Sequence, residues 1–189
     1  MSVSLIIGGA RSGKSTYGEA LAASFSNNVA YIATAEAFDT EMEHRIEMHQ
    51  AQRPGSWTTY EVPINLYSVI SSLSEKHDVF LLDCLTLYIS NILLKDLNSD
   101  NITWEIQSAK ETIITNEIIN LTDWVKNNNK HLIVVTNEVG LGIVPANNLS
   151  RVYRDIVGRA NQLFAKEADQ VFLTWAGIPL QIKPNLMRV

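Results

Sequence analysis

Eight residues near the start of the chain constrain its fold more than any other stretch. Residues 8–15, Gly-Gly-Ala-Arg-Ser-Gly-Lys-Ser, match G-x-x-x-x-G-K-[ST], the pattern of a phosphate-binding loop. The apolar run at 3–7 that precedes the loop predicts a buried strand. Apolar residues follow the loop at helical spacing, namely Tyr17, Ala20, Leu21 and Phe25. Strand, loop and helix in this order allow backbone N–H groups and a helix N-terminus to face an anion.

The residue types within this loop predict how it would hold a nucleotide. The loop consists of Gly8, Gly9, Ala10, Arg11, Ser12, Gly13, Lys14 and Ser15. Its glycines let the backbone curl around a phosphate group. Lys14 is expected to reach the β- and γ-phosphates, and the Ser15 hydroxyl is expected to bind Mg²⁺. The alternative is a chance glycine-rich turn, and the fit of both flanking segments disfavours it.

Length, charge and cysteine content limit the class of protein. A chain of 189 residues with 46% apolar and 19% charged residues predicts one globular domain over 1–189, with the tail after about 183 unassigned. A net charge of −5 argues against a surface that coats nucleic acid. Cys84 is the single cysteine, so no internal disulfide is possible and a cytoplasmic location is expected. No apolar run approaches the roughly 18 residues of a membrane span.

The rest of the chain alternates between strand and helix patterns. Strands are predicted at 29–33, 57–62, 79–82, 131–135, 170–175 and 180–182, and helices at 40–52, 66–73, 85–94, 104–125 and 149–168. The polar stretch 95–101 is expected to be a loop. This alternation predicts an α/β fold, a mostly parallel sheet with helices on both faces. The last two strands are expected to form an antiparallel hairpin at one edge, around Ala176 and Gly177.

Polar residues stand where the predicted strands end, and ligands gather at that edge of a parallel sheet. The residues at these ends are Gly8, Thr34, Glu61, Asp83, Thr136, Asn137 and Glu138. Asp83 follows four apolar residues, as does the acid that holds Mg²⁺ in many phosphate-loop proteins. Its alternative role is the N-cap of the helix predicted at 85–94.

One histidine stands beside two arginines. His49 shares a helical face with Met42 and Ile46, so a half-buried structural histidine is one interpretation. Arg45 and Arg53 lie one turn to either side, which suits a site that handles phosphate and would favour the neutral, nucleophilic imidazole. The remaining histidines lack such neighbours and are expected at the surface: His44, His77 and His131.

Taken together, several segments resemble the bifunctional adenosylcobinamide kinase / adenosylcobinamide-phosphate guanylyltransferase family of cobalamin biosynthesis. The segments that carry the resemblance are the loop at 8–15, 31–35, Arg45-Ile46 with His49, Arg53-Pro54, 82–86 and 136–145. The string at 136–145 combined with the His49 segment is far more specific than the loop alone. The likeness extends to about Lys183.

The resemblance implies a RecA-like P-loop NTPase fold, a homotrimer and two reactions. A nucleoside triphosphate, ATP or GTP, phosphorylates adenosylcobinamide with the help of Lys14 and Mg²⁺, and GTP then donates GMP through a histidine. The guanylylated histidine of the family falls on His49. The nucleotide contacts of the family fall on the loop and on Ala33, Thr34, Ala35, Gln50, Ala51, Gln52, Arg53, Glu61 and Asp83. Some relatives carry a histidine before the nucleophile, where this chain has Met48. The alternative is a monofunctional P-loop small-molecule kinase with a structural His49.

Overall fold

A seven-stranded sheet runs through the part of the chain that the computed structural model describes, which is residues 1–36, 53–97 and 102–184. The strands are β1 (Ser2–Gly8), β2 (Val29–Ala33), β3 (Thr58–Glu61), β4 (Val79–Asp83), β5 (His131–Asn137), β6 (Gln170–Trp175) and β7 (Ile178–Lys183). The helices are α1 (Lys14–Phe25), α2 (Leu66–Ser72), α3 (Leu85–Leu94), α4 (Trp104–Asn127) and α5 (Asn148–Glu167). None of these helices is long and apolar enough to cross a lipid bilayer.

The strand order is β3-β2-β4-β5-β1-β6-β7, and only β7 runs antiparallel to its neighbour. The strand that carries the phosphate loop, β1, therefore lies inside the sheet between β5 and β6. All five residues of β2 are buried, as expected for a strand covered on both faces. The predicted α/β fold class, a mostly parallel sheet with an antiparallel edge hairpin, is confirmed.

Helices cover both faces of the sheet. One apolar core contains residues from α2, α3, α4 and α5 packed against one face. On the other face a smaller core joins Ala22 of α1 to Tyr31 and Ala33 of β2 and to Leu81 of β4. Because side chains alternate along a strand, the odd-numbered residues of β2 and β4 point to the face that α1 covers.

The helix α1 is confirmed, and only part of its apolar pattern packs against the sheet. Gly18 and Ala22 are buried, whereas Ala20 and Phe25 are exposed. The helix lies so close to the sheet that a Cβ atom at Gly18 would stand 3.0 Å from Cγ2 of Val135. Small residues make this approach possible, and Tyr17 and Leu21 pack beside them, partly buried, against the smaller core.

Most other predicted elements agree with the structure, with small differences in length. The strand predicted at 57–62 is shorter, and the final strand is longer and spans Ile178–Lys183. The predicted loop at 95–101 includes residues 95–97, which follow α3, and residues 98–101, which lie outside the described ranges. The helix predicted at 40–52, which carries His44 and His49, also lies outside them.

His77 was expected at the surface, and the structure shows that it is buried, with 5% of its surface exposed. Its Nε2 atom is 2.9 Å from the Tyr60 hydroxyl, and its Nδ1 atom is buried without a hydrogen-bond partner among the described residues. Burial lowers the pKa of His77. Burial and the nearby N-terminal amine also lower the pKa of the half-buried His131.

These two pKa shifts predict a loss of stability in mildly acidic solution. Unfolded histidine titrates near pH 6.5, and below that pH the unfolded chain takes up protons before folded His77 does. The free energy of unfolding should therefore fall as the pH drops below about 6.5, and these two histidines should contribute no slope well above that pH. Denaturant titrations at several pH values measure this slope. A His77→Gln variant, which keeps polar atoms but does not titrate, should show a shallower slope, and an equal slope would contradict the prediction.

Candidate active site

The phosphate loop leads from the end of β1 into the first turn of α1 through two left-handed residues. Gly13 has φ +91° and Arg11 has φ +55°. The Ser12 N–H donates to the Gly9 carbonyl at 3.3 Å, and the Tyr17 N–H donates to the Gly13 carbonyl at 3.0 Å, which begins the helix. A Cβ atom at Gly13 would also stand 3.0 Å from Cα of Gly177, so glycine is required by both backbone conformation and space.

The turn of the β6–β7 hairpin fastens this loop from one side. The Gly177 N–H donates to the Ser12 carbonyl at 2.9 Å. The Ser12 and Thr174 hydroxyls form a buried hydrogen bond of 2.9 Å. A Cβ atom at Gly8 would stand 2.4 Å from Oγ1 of Thr174, which shows how closely the two segments pack. The loop is therefore shaped by contacts from the far end of the chain as well as by its own glycines.

Lys14 lies across the loop and is 7% exposed. Its Nζ atom donates to the Gly9 carbonyl at 2.6 Å. Burial lowers the pKa of Lys14, and the nearby Cys84 and Asp83 oppose this shift. Since burial penalises the ammonium charge, an anion bound beside it would be stabilised strongly. The buried lysine thus has the position and charge needed to hold a polyphosphate.

A cleft of about 700 Å³ opens beside the loop, a volume typical of a small-molecule site. The predicted site residues that line it are Ala10, Arg11, Ser12, Gly13, Lys14, Ser15, Ala33, Ala35, Arg53, Glu61 and Asp83. They come from the loop and from the ends of β2, β3 and β4, together with Arg53, which precedes β3. The structure therefore brings together most of the described residues that the sequence placed in the site.

Three predicted contacts do not line the cleft: Gly8, Gly9 and Thr34. The Thr34 hydroxyl donates to the Cys84 carbonyl at 2.8 Å and accepts from the Cys84 N–H at 2.8 Å. Thr34 therefore joins the ends of β2 and β4 through its side chain. The remaining predicted site residues, His49, Gln50, Ala51 and Gln52, lie outside the described ranges.

The structure excludes the capping role considered for Asp83. The N-cap of α3 is Cys84, whose side chain forms no capping hydrogen bond. The Oδ2 atom of Asp83 instead accepts a hydrogen bond of 2.8 Å from the Tyr31 hydroxyl. Burial raises the pKa of Tyr31, and the Asp83 charge raises it further, so the hydroxyl stays protonated and donates.

Asp83 and Ser15 line the same cleft and offer the hard oxygen atoms that Mg²⁺ prefers. No group of three or more histidine, cysteine, aspartate or glutamate residues gathers as a possible metal site in the described part of the chain. Mg²⁺ commonly takes one or two protein oxygens and completes its shell with phosphate oxygens and water. The donor set therefore fits a magnesium ion that arrives with a nucleotide.

Sequence reasoning missed several residues that line the cleft: Thr16, Tyr31, Cys84, Leu87 and Val135. Tyr31 could have been found, because it lies two residues before Ala33 on β2 and so points to the same face. Burial raises the pKa of the Cys84 thiol, which disfavours the nucleophilic thiolate. Asn137, noted only as a residue at a strand end, also lines the cleft and donates to the Thr86 hydroxyl at 3.0 Å.

P-loop nucleotide-binding proteins have a glycine loop that leads from an inner strand of a parallel sheet into a helix and carries a lysine. This chain has that loop, with the lysine buried, and belongs to this class of protein. Its family is narrower than that class. The chain belongs to the cobinamide kinase / cobinamide phosphate guanyltransferase family, whose model matches residues 4–182. This match confirms the resemblance found in the sequence.

Individual relatives agree with the family assignment. The bifunctional adenosylcobalamin biosynthesis protein CobU of Escherichia coli (strain K12) is 42% identical over 182 residues, which cover 95% of this chain and 98% of that protein. The bifunctional adenosylcobalamin biosynthesis protein CobP of Pseudomonas aeruginosa is 41% identical over 179 residues, which cover 95% of this chain and 96% of that protein.

Among solved structures, a KaiC-like protein from Pyrococcus horikoshii OT3 aligns with a TM-score of 0.49 at 12% identity, covering 91% of this chain and 70% of that one.

Proposed function

We propose that this chain phosphorylates adenosylcobinamide with a nucleoside triphosphate and then transfers GMP from GTP to the product, forming adenosylcobinamide-GDP. The observation that carries the proposal is the family match over residues 4–182 together with a nucleotide-sized cleft on the phosphate loop. We take ATP or GTP as the phosphate donor, Mg²⁺ as the metal, and a single nucleotide-binding domain over 1–189 as the subunit of a homotrimer. The buried thiol of Cys84, the single cysteine of the chain, suits the cytoplasm.

In the kinase reaction, the hydroxyl oxygen of adenosylcobinamide attacks the γ-phosphorus and the bond to the β–γ bridging oxygen breaks. The nucleoside diphosphate leaves, and the hydroxyl proton is released to solvent. The loop backbone orients the phosphates, and the Lys14 ammonium stabilises charge on the β- and γ-oxygens. Ser15 and Asp83 would hold Mg²⁺, which when bound neutralises charge on those oxygens.

In the guanylyltransferase reaction, a neutral imidazole nitrogen of His49 attacks the α-phosphorus of GTP and pyrophosphate leaves. A phosphate oxygen of the phosphorylated corrinoid then attacks the same phosphorus, and the nitrogen–phosphorus bond breaks. The covalent intermediate divides one difficult displacement into two easier ones. His49 precedes Arg53 by four residues, and Arg53 lines the cleft, which supports this assignment.

Incubation with α-labelled GTP, Mg²⁺ and cobinamide, followed by mass analysis of protein and product, tests the proposal. We expect GMP bound covalently to the protein when the acceptor is absent, and a GDP-linked corrinoid when it is present. A phosphorylated corrinoid with no GMP on the protein would favour a monofunctional kinase. Absence of any phosphorylated corrinoid would contradict both functions.

The Asp83→Asn variant should lose affinity for Mg²⁺ and keep its fold. Asparagine is a poor ligand for a hard cation, but its side-chain oxygen still accepts the Tyr31 hydrogen bond. We expect the Mg²⁺ concentration at half-maximal kinase rate to rise by at least about tenfold. Asp78→Asn is the matched control, since Asp78 is exposed just before β4 and pairs with Lys130 at 2.6 Å, outside the cleft. An unchanged Mg²⁺ dependence in Asp83→Asn would remove Asp83 from the metal site.

A further inference from the structure

A buried tyrosine joins two of the residues assigned to the nucleotide site. Tyr31 lies in the middle of β2 and is 2% exposed. In the sheet register, Ala33 stands opposite Asp83, so Tyr31 reaches that carboxylate diagonally across two residues. Its hydroxyl donates to Oδ2 of Asp83 at 2.8 Å, and its ring lines the cleft.

The face of the Tyr31 ring contacts the side chain of Arg53. The guanidinium carbon of Arg53 lies 3.5 Å from the centre of the Tyr31 ring, within the range of a cation–π contact. Its Nη1 atom donates to the Thr59 hydroxyl at 2.9 Å, which fixes the plane of the guanidinium. Its Nε atom is buried without a hydrogen-bond partner in the described part of the chain, so the aromatic ring is a principal contact of this cation.

A tyrosine can make both contacts at once because its ring face and its hydroxyl point in different directions. The hydroxyl occupies one carboxylate oxygen of Asp83 and leaves the other for a cation. The face of the ring contacts Arg53, which follows His49 by four residues in the sequence. Phenylalanine in its place would keep the ring and lose the donor, so the two contacts can be separated by substitution.

We infer that Tyr31 is a positioning residue that orients the Asp83 carboxylate towards the metal-bound nucleotide and holds Arg53 beside it. The inference rests on the proposed function only in treating Asp83 as a metal ligand. Partners that orient a metal ligand commonly contribute about tenfold to a hundredfold to metal affinity. We assign Tyr31 no contact with the reacting phosphorus or with the acceptor.

The test is Mn²⁺ binding to the full-length protein in complex with a non-hydrolysable GTP analogue, measured by electron paramagnetic resonance. In Tyr31→Phe we expect the Mn²⁺ dissociation constant to rise about tenfold or more, while the affinity for the metal-free analogue stays unchanged. The kinase rate should fall at low Mg²⁺ and recover as Mg²⁺ is raised. The matched control is Tyr60→Phe on the neighbouring strand β3, whose hydroxyl contacts His77 at 2.9 Å. It should leave Mn²⁺ affinity unchanged.

Two outcomes would overturn the inference. Wild-type Mn²⁺ affinity in a folded Tyr31→Phe protein would show that the hydroxyl only supports the fold. Equal losses from Tyr31→Phe in the wild-type and Asp83→Asn backgrounds would show that Tyr31 does not act through Asp83. Normal Mn²⁺ binding by Asp83→Asn alone would instead refute the metal assignment, which distinguishes failure of the proposed function from failure of this inference.

Discussion

We expect the Lys14→Ala variant to lose both transfer activities and to remain folded. Both reactions require the triphosphate to be held by one loop, and Lys14 supplies the buried positive charge of that loop. Removing a donor that stabilises charge in a transition state typically lowers a rate by roughly 10²–10³-fold. Alanine is favourable in a helix, and the substitution removes a buried charge, so the thermal midpoint should not fall.

Initial rates of corrinoid phosphorylation and of protein guanylylation, measured on the same preparation, test this expectation. Lys130→Ala is the control, because Lys130 immediately precedes β5 and so lies at the opposite edge of the sheet from the carboxyl ends of the strands. Its ammonium group donates to the Ser74 carbonyl at 2.7 Å and pairs with Asp78. That variant should keep both activities. Near-normal phosphorylation by Lys14→Ala would show that residues 8–15 do not bind the reacting phosphates.

The His49→Asn variant should separate the two reactions. Phosphoryl transfer needs the loop and the metal but no covalent protein intermediate, so it should continue at least in part. Guanylyl transfer needs a nitrogen nucleophile, and an asparagine amide is far weaker than a neutral imidazole. The variant should therefore take up no GMP from α-labelled GTP and should accumulate phosphorylated cobinamide.

The chemistry of the label identifies the bond. A phosphoramidate is labile in acid and stable in alkali, so wild-type protein should lose its GMP in acid alone. His44→Asn, five residues away in sequence, serves as the control and should still be labelled. Label that persists on His49→Asn and disappears from His44→Asn would place the nucleophile at His44. Loss of both activities in a folded His49→Asn protein would assign this segment to nucleotide binding in every step.

Features encoded locally were predictable from the sequence. The phosphate loop, the apolar strands and the edge hairpin each follow from a contiguous pattern, and the structure confirms them. Asp83 was placed in the cleft because an acid after an apolar strand must lie at the carboxyl edge of the sheet. Its exclusion as a helix cap needed the coordinates, since Asp83 and Cys84 both precede α3 in sequence.

Features that depend on distant parts of the chain were not predictable. The bond between Ser12 and Thr174 joins residues 162 apart, and no spacing pattern relates them. The burial of His77 depends on Tyr60 of β3, which lies 17 residues earlier and packs edge-on against its ring. The position of Tyr31 on the same face as Ala33 could have been predicted, but the hydrogen bond of its hydroxyl to Asp83 depends on the register of β2 against β4.

The fastening of the phosphate loop by the β6–β7 turn limits how far this protein can be shortened from its C-terminal end. A chain cut before Gln170 would keep the whole loop motif, but Ser12 would lose the donor of Gly177 and the hydroxyl of Thr174. It would also turn β1 into an edge strand and expose its unpaired backbone groups to other molecules. A shortened chain that keeps these contacts with the loop must therefore include the β6–β7 hairpin, which ends at Lys183, although the motif itself ends at Ser15.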